Sequence, residues 1–337
     1  EHTVQFIQII VGAKVFYAES LEKLISNMGV AKPTIMTAVP RFYQNLYTKI
    51  NINFEKQLGI KKFLIYQTLI LGKKILKKEK LSLSEKMTNF LCEKLVRKKI
   101  RSQFGGNLQA FVSGGGALDQ NVGEFLNAVG LPTLQGYGLT EASPVVSCNL
   151  PNLIKVETVG PAFRTNEVKI ADDGEILIKG ENVMLGYWNN EEETNKVLKD
   201  GWLHTGDIGI FENGYLKITD RKKDILITPG GDNISPVKIE NELSNSKFID
   251  QSIVYGDNKP YLVALLVLSE ENLNINHEQI EKEINKINQN LAKIEQIKKF
   301  FIINEKFSIE NGMLTPTLKL KRYKIVTKYK NQFEKLY

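Results

Sequence analysis

The hexapeptide Gly136-Tyr137-Gly138-Leu139-Thr140-Glu141 sets a flat aromatic between two glycines, with a hydroxyl three positions on and a carboxylate directly after it. These are parts for stacking a nucleobase, bonding a phosphate oxygen and holding Mg2+ through a hard oxygen ligand. Upstream, Ser113-Gly114-Gly115-Gly116-Ala117 follows the apolar run Leu108 to Val112. Glycines at the end of a strand let the backbone pass close to a ligand, and they serve equally well as a turn before the helix expected over Asp119 to Ala128. Downstream, Asp207 in GWLHTGDIG (201–209) is either a turn acid or a strand-mouth carboxylate able to accept from two ribose hydroxyls. His204 in the same stretch reads as structural.

Two further stretches complete the candidate chemistry. Asp220-Arg221-Lys222-Lys223-Asp224 lies between the strand-like run Gly214 to Thr219 and the apolar run Ile225 to Ile227. Such a run cannot be buried inside one core without unpaired charge, so it reads as a joint between two packed bodies, with a charged hairpin turn as the alternative. Pro229-Gly230-Gly231 beyond it is a tight turn by composition. Near the end of the chain Lys319 stands in LTPTLKLKR (314–322), where local pattern alone leaves it as one basic residue of a solvated tail.

Positioning these residues requires a layered scaffold. Strand-like Val15-Phe16-Tyr17, a helix over Ser20 to Met28 capped by Ser20 and ending near Gly29, a strand at Ile35 to Val39 and a helix opened by Pro40 set an alternating order that favours α/β. From about 60 to 103 the chain is helical and lysine-rich, with helix-like spacing in Phe63, Tyr66, Ile70 and in Phe90, Leu91, Lys94, Leu95. Thr133 to Gln135 reads as a strand feeding a glycine-rich turn. Residues 159–219 show short strands and glycine turns, the mark of a small β subdomain. Past the joint, a helix over Pro236 to Ser244, strands at Gln251 to Tyr255 and Tyr261 to Leu268 and a helix over Glu278 to Leu291 form a separate α+β unit.

Composition narrows the classes. A chain of 337 residues with a formal charge of +7 has room for about two domains, and its basic balance permits an anionic partner. Aromatics are not interleaved with the lysine runs, which argues against nucleic acid and for solvated faces. Cys92 and Cys148 form neither a disulfide framework nor a metal-ligand pattern, as suits a reducing, cytoplasmic setting. The longest apolar run, Tyr261 to Leu268, is too short to span a bilayer. Peripheral contact of the lysine-rich helices with the inner face of a membrane stays open.

Taken together, QGYGLTEAS, GEILIKGENVMLGYW, GWLHTGDIG, TDRKKDILITPGGDNISP and LTPTLKLKR, in that order and spacing, closely resemble the long-chain fatty acyl-CoA synthetase branch of the adenylate-forming superfamily. VFYAESLEKLISN and PTIMTAVPRFYQNLYTKI look like that branch too, so the likeness runs along essentially the whole chain. It implies a fatty acid–CoA ligase: the carboxylate attacks the α-phosphorus of MgATP to give acyl-AMP, and the CoA thiol then takes the acyl group. By the same resemblance Gly114, Gly115 and Gly116 line the adenine, Tyr137 between Gly136 and Gly138 stacks on it, Thr140 meets phosphate and Glu141 holds Mg2+. Asp207 binds the ribose hydroxyls with help from Arg221, and Lys319 bridges carboxylate and phosphate oxygens. Asp220 is the hinge, and Gly230-Gly231 receive the pantetheine arm.

The resemblance also carries departures. The family's Ser/Thr/Gly-rich phosphate loop has no counterpart here, so the chain is expected to be the later portion of a synthetase: a large α/β domain remnant over 1–219, with its β subdomain at about 159–219, then a mobile α+β domain over 220–337. On its own such a portion is expected to be inactive in adenylation. Asp232 stands where relatives more often carry Lys or Glu. An acyl-carrier-protein synthetase and a non-catalytic nucleotide- or acyl-binding remnant are the rival expectations.

Overall fold

The computed structural model describes residues 2–20, 23–269, 275–315 and 318–337. The chain divides into two compact units, the first Glu1–Thr205 with Gly209–Ile218, the second Gly206–Ile208 with Thr219–Tyr337.

The first unit opens with helices α1 (His2–Val11) and α2 (Leu24–Ala31), strand β1 (Ile35–Ala38) and helix α3 (Pro40–Glu55). Helices α4 (Gly59–Leu76), α5 (Leu83–Cys92) and α6 (Lys98–Gln103) follow, the last two joined by a π-helical turn over Glu93–Arg97. Then come β2 (Ala110–Ser113), α7 (Gln120–Ala128), β3 (Thr133–Gly138) and β4 (Val145–Cys148). Strands β1, β2 and β3 are parallel neighbours, and β4 closes the sheet antiparallel to β3. Pro40 takes the first turn of α3, where its missing N–H costs no bond. The core beneath the sheet is aromatic: Phe111 on β2 meets Phe42, Tyr43 and Phe104 edge to face, and the buried Tyr43 hydroxyl donates to the Val112 carbonyl at 3.0 Å. Helix α4 lies so close to α7 that a Cβ on Gly72 would stand 2.5 Å from the Ala128 Cα, so only glycine fits there.

A second sheet, all of it in this unit except Gly206–Ile208 and the stretch from Thr219, is built from β5 (Asn166–Ile170), β6 (Glu175–Gly180), β7 (Leu198–Lys199), β8 (Trp202–Glu212) and β9 (Tyr215–Arg221), with helix α8 (Glu191–Val197) before β7. The order is β5-β6-β8-β7, with β9 also on β8. Ile176, Ile178, Leu203 and Leu216 form its buried centre.

In the second unit the hairpin β10 (Leu226–Ile227) and β11 (Asn233–Ile234) turns through Gly231 at φ +88, a left-handed position that glycine adopts without strain. Helix α9 (Pro236–Ser244), β12 (Ile249–Tyr255), β13 (Leu262–Leu268), α10 (His277–Asn288), β14 (Ile297–Ile303), α11 (Arg322–Lys328) and α12 (Lys330–Glu334) complete it. Strand β13 is central, and all seven of its residues are buried. Leu262, Ala264, Leu266 and Leu268 share one core with residues of α9 and α10, while Val263, Leu265 and Val267 share another with residues of α11 and α12. That two-sided cover is why the run YLVALLVL has no polar alternation.

Several local expectations are corrected. Val15-Phe16-Tyr17 is irregular and Phe16 and Tyr17 are exposed; a lone apolar triplet with no neighbouring strand gains no ladder bonds. The helix expected over Ser20 to Met28 starts instead at Leu24, runs through Gly29 and stops at Ala31, with Lys32 left-handed at φ 46 and its N–H on the Met28 carbonyl; positions 21 and 22 of that expectation lie outside the described residues. Gly136 to Gly138 is the end of β3 rather than a turn. The apolar rows Phe63, Tyr66, Ile70 and Phe90, Leu91, Leu95 face outward, while Leu64, Ile65, Thr68 and Leu71 face the core. Arg97 is no solvated charge: it is buried, donating from Nε to the Ala128 carbonyl at 2.8 Å, from Nη2 to the Thr68 carbonyl at 3.2 Å and from Nη1 to Asn89 at 2.8 Å.

Candidate nucleotide-binding site

The carboxyl ends of parallel strands are where an α/β sheet opens to a ligand, because the chain there turns outward and leaves backbone donors unused. Two glycine-bearing segments leave this end side by side. Ser113 ends β2 opposite Gln135 of β3, so Gly114-Gly115-Gly116 and Gly136-Tyr137-Gly138 extend from paired positions. Gly115 takes φ +81, and a Cβ on Gly114 would meet no atom within 4 Å. Open space above a glycine is what a closely approaching ligand requires. At the same edge the Ser113 hydroxyl oxygen, 1 % exposed, has no protein partner among the described residues. A buried hydroxyl without a partner is costly unless another group supplies the bond.

Gly138 has the opposite reason to be glycine. A Cβ there would fall 1.9 Å from the Pro144 carbonyl oxygen and 2.9 Å from the Val145 Cα, so the hairpin into β4 closes only without a side chain. This contact sets the half-buried Tyr137 ring at the end of the strand. Leu139 donates its N–H to the Pro144 carbonyl at 2.9 Å, and the chain then makes a single 3-10 turn over Thr140–Ala142. Thr140 is exposed at the start of that turn, and Glu141 is half-buried within it.

The segment after β6 pins this turn. The Met184 N–H donates to the Glu141 carbonyl at 2.8 Å, Asn182 Nδ2 to the Ala142 carbonyl at 2.7 Å, and the Tyr187 hydroxyl to Glu141 Oε1 at 2.9 Å. The Tyr187 phenol is pushed up to about 12 by loss of hydration and then by the Glu141 carboxylate it bonds. Tyr187 and Asn182 were not among the residues expected to act. Both sit in GEILIKGENVMLGYW, but nothing in the local pattern said which loop that stretch would reach.

In the second unit Asp207 is buried, and its Oδ1 accepts from Arg221 Nε at 3.0 Å. Gly206 is left-handed at φ +69, and the Lys222 N–H closes the base of this ladder on its carbonyl at 2.8 Å. Lys319 belongs to the same unit. The residue is exposed by area, yet protein atoms around its amine displace water and hold the ammonium below the usual lysine range; the Arg221 cation adds to this and Asp207 opposes it. Lys319 is not in a solvated tail: Leu314 and Leu320 bridge on either side of it, and its N–H donates to Thr315 Oγ1 at 3.0 Å. Of LTPTLKLKR, positions 316 and 317 lie outside the described residues.

Asp220 is half-buried, and burial raises its carboxyl above the usual aspartate range against a hydrogen bond from Ser235. Arg322, three residues after Lys319, donates from Nη2 to both Glu240 oxygens at 2.8 and 2.6 Å and from Nη1 to the Val254 carbonyl at 3.0 Å, with Asp224 3.9 Å from its Nε. It is thus a buried tie rather than one more surface cation. In the 229–231 turn, the Thr228 hydroxyl donates to Asp232 Oδ2 at 3.1 Å and accepts from the Asp232 N–H at 3.0 Å, giving this Asp a local structural use. His204, back in the first unit, meets Glu175 at 3.1 Å and has a structural partner.

The residues of the first unit suit a nucleotide: a ring at a strand end, open space over glycine, a hydroxyl and a carboxylate. For a divalent cation they offer the one carboxylate of Glu141; no cluster of three or more His, Cys, Asp or Glu suited to a metal occurs among the described residues. A single carboxylate fits Mg2+ carried in by phosphates, not a resident all-protein metal centre.

Known proteins resemble this chain in sequence and in fold. The chain is 33% identical over 344 residues to the long-chain-fatty-acid–CoA ligase FadD15 of Mycobacterium bovis, covering 95% of this chain and 57% of the relative. It is 34% identical over 374 residues to long-chain-fatty-acid–CoA ligase 5 of Rattus norvegicus, covering 100% of this chain and 54% of the relative. The chain thus spans about half the length of the curated relatives it matches. Its fold is that of the adenylation domain of a carboxylate reductase from Mycobacterium chelonae, with a TM-score of 0.75 at 22% identity over 96% of this chain and 49% of that one. It is likewise that of o-succinylbenzoate CoA synthetase from Bacillus subtilis in complex with its acyl-adenylate, with a TM-score of 0.68 at 22% identity over 96% and 57%. Residues 223–337 match the AMP-binding enzyme C-terminal domain. Residues 1–188 match the AMP-binding enzyme profile, more than half of the chain, and with the site geometry this makes the chain a member of the AMP-binding enzyme family.

Proposed function

We propose that the protein is an AMP-forming long-chain fatty acid–CoA ligase, using ATP, a fatty acid and CoA. The observation that carries this is the pairing of two glycine-bearing strand ends at one sheet edge, with Tyr137, Thr140 and Glu141 leaving it in sequence. The named activity of the curated relatives FadD15 and long-chain-fatty-acid–CoA ligase 5 suggests the substrate class.

In this reading the Tyr137 ring packs against adenine, and the Ser113 hydroxyl and the backbone at Gly114 to Gly116 face its polar rim. Thr140 donates to phosphate. Glu141, oriented by the Tyr187 hydroxyl, would hold Mg2+, which neutralises charge on the phosphates. Asp207 accepts from the ribose hydroxyls, with Arg221 aiming its carboxylate through the Nε–Oδ1 bond. Lys319, its ammonium partly dehydrated, supplies positive charge where carboxylate and α-phosphate oxygens meet. Residues 220–337 form the mobile domain, Asp220 is its pivot, and the Gly230-Gly231 turn takes the pantetheine arm. The catalytic gain is positioning plus charge neutralisation.

The test is fatty-acid-dependent exchange of pyrophosphate into ATP by the complete protein, followed by thioester formation with CoA or with an acyl-carrier protein. Exchange and a CoA product, both lost in Tyr137→Ala, are expected. Exchange with transfer only to the carrier protein would overturn the acceptor, and absence of exchange would overturn the ligase reading.

A further inference from the structure

Lys319 stands in a segment that is tied across itself at successive levels. The Lys321 N–H donates to the Met313 carbonyl at 2.8 Å, and Leu314 bridges to Leu320. Thr315 and Lys319 then exchange two bonds: the Thr315 N–H donates to the Lys319 carbonyl at 2.8 Å, and the Lys319 N–H to Thr315 Oγ1 at 3.0 Å. The Leu318 N–H adds a bond to the Thr315 carbonyl at 2.8 Å. Within this closure Leu318 takes φ 60, in the left-handed region.

Leucine has no intrinsic reason to be there. Eight described non-glycine residues have positive φ, and the other seven are polar: three asparagines, an aspartate, a serine, and two lysines at helix ends. Short polar side chains bond nearby backbone and so tolerate the conformation, whereas the leucine Cβ crowds a carbonyl oxygen with nothing in return. Strain of this kind persists only where the surroundings over-determine the backbone. Here the surroundings are apolar: Leu318 and Leu320 are partly buried against a core that includes Phe307, Met313, Leu314 and Ile325. The core therefore grips the residue before Lys319 and the residue after it. Beyond that grip the amine has a defined place, with water displaced from around it and Arg221 and Asp207 within electrostatic reach.

We propose that Leu318 is a positioning residue for Lys319: core packing holds it left-handed against its own preference, and this fixes where the Lys319 amine is presented. The inference rests on the ligase reading for what the amine does there, and on the geometry of this segment for how it is held. Glycine would take the same φ without strain, but it has no side chain for the core to grip, so the amine would lose its fixed place.

The experiment compares the complete protein with its Leu318→Gly, Leu318→Ala and Leu318→Met variants. Single-turnover kinetics follow acyl-AMP formation and, separately, thioester formation from supplied acyl-adenylate. Leu318→Gly and Leu318→Ala should slow the first step by roughly 10–100-fold, the scale of a small misplacement at a reacting centre, and spare the second. Leu318→Met keeps an apolar anchor and should restore most of the rate. A second readout needs no turnover: labelling of Lys319 by an amine-reactive reagent across pH, read by mass spectrometry. The labelling midpoint of the parent should lie below the ordinary lysine value of 10.5, and in Leu318→Gly it should move up towards that value as water regains the amine. Thermal melts report folding; if Leu318→Gly does not fold, Leu318→Ala against Leu318→Met decides by the same two readouts. Unchanged acyl-AMP formation in the Gly and Ala variants, equal loss in both half-reactions, or one labelling midpoint for parent and variant would overturn the positioning role. A parent that forms no acyl-AMP would overturn the ligase reading instead, and the labelling midpoints would then decide by themselves whether Leu318 places the amine.

Discussion

Replacing Arg322 by Met tests whether the second unit depends on one buried tie. In the native unit the guanidinium holds both Glu240 oxygens and the Val254 carbonyl, while the Val254 N–H donates to Glu240 Oε1 at 2.7 Å. Without Arg322 the buried carboxylate keeps a single backbone donor and no countercharge. Stranding one member of a buried ion pair costs about 3–5 kcal/mol. For a unit of this size that lowers its melting temperature by roughly 10–25 °C. The pH dependence gives a sharper check. Burial already holds the Glu240 carboxyl above the ordinary carboxylate value of 4.5 despite Arg322, and the variant should hold it higher. A carboxyl raised in the folded state contributes stability that is present at low pH and lost as pH rises through its folded pKa. The deficit of Arg322→Met should therefore be largest at neutral pH and shrink on acidification towards the ordinary range. Glu240→Met together with Arg322→Met should recover most of the loss, because apolar side chains of similar volume replace a buried pair at little cost. Circular dichroism melts across pH measure all three. A loss below about 1 kcal/mol, or a deficit independent of pH, would refute the buried-tie argument.

Three further outcomes are expected. In the complete enzyme, Lys319→Ala should slow acyl-AMP formation by roughly 10²–10³, the worth of a charge aimed at a transition state, and leave thioester formation from supplied acyl-adenylate nearly intact; Lys321→Ala should do little to either step, and single-turnover kinetics of the two half-reactions decide. Gly138→Ala places a methyl group against backbone that cannot swing aside, so it should cost about 1–3 kcal/mol in thermal unfolding and weaken AMP binding through the displaced Tyr137; an unchanged melt would contradict the contact. Asp220 has a raised carboxyl, with Asp224 and Arg322 as charged neighbours, so parent stability should fall as pH rises from the ordinary aspartate value of 3.8 through its folded pKa. Asp220→Asn should flatten that part of the stability profile, and parallel curves for the two proteins would dismiss the raised group.

Residue types and spacing were enough to propose the nucleotide parts, since GYGLTE gathers a ring, a hydroxyl and a carboxylate within six residues, and glycine, proline and capping residues act on the backbone within a turn. The sequence likewise marked most regular elements by the same short-range rules: Pro40 opens α3, Asp119 caps α7 and Pro236 opens α9. What it could not settle by itself depends on contacts distant in the chain. Gly136 to Gly138 reads as a turn until β4 pairs with it; the helix-like spacing of Phe63 and Tyr66 does not say which side of α4 is buried until α7 takes the other one; Arg97 and Arg322 read as surface charge until the Ala128 carbonyl and Glu240 receive them. Tyr187 joins Glu141 across 46 residues, and that bond exists only because the sheet of β5 to β9 carries the segment after β6 to the 3-10 turn. Local pattern fixes which conformations each segment prefers; tertiary packing decides which face is buried and which charge is paired, because both depend on partners that the neighbouring sequence does not contain.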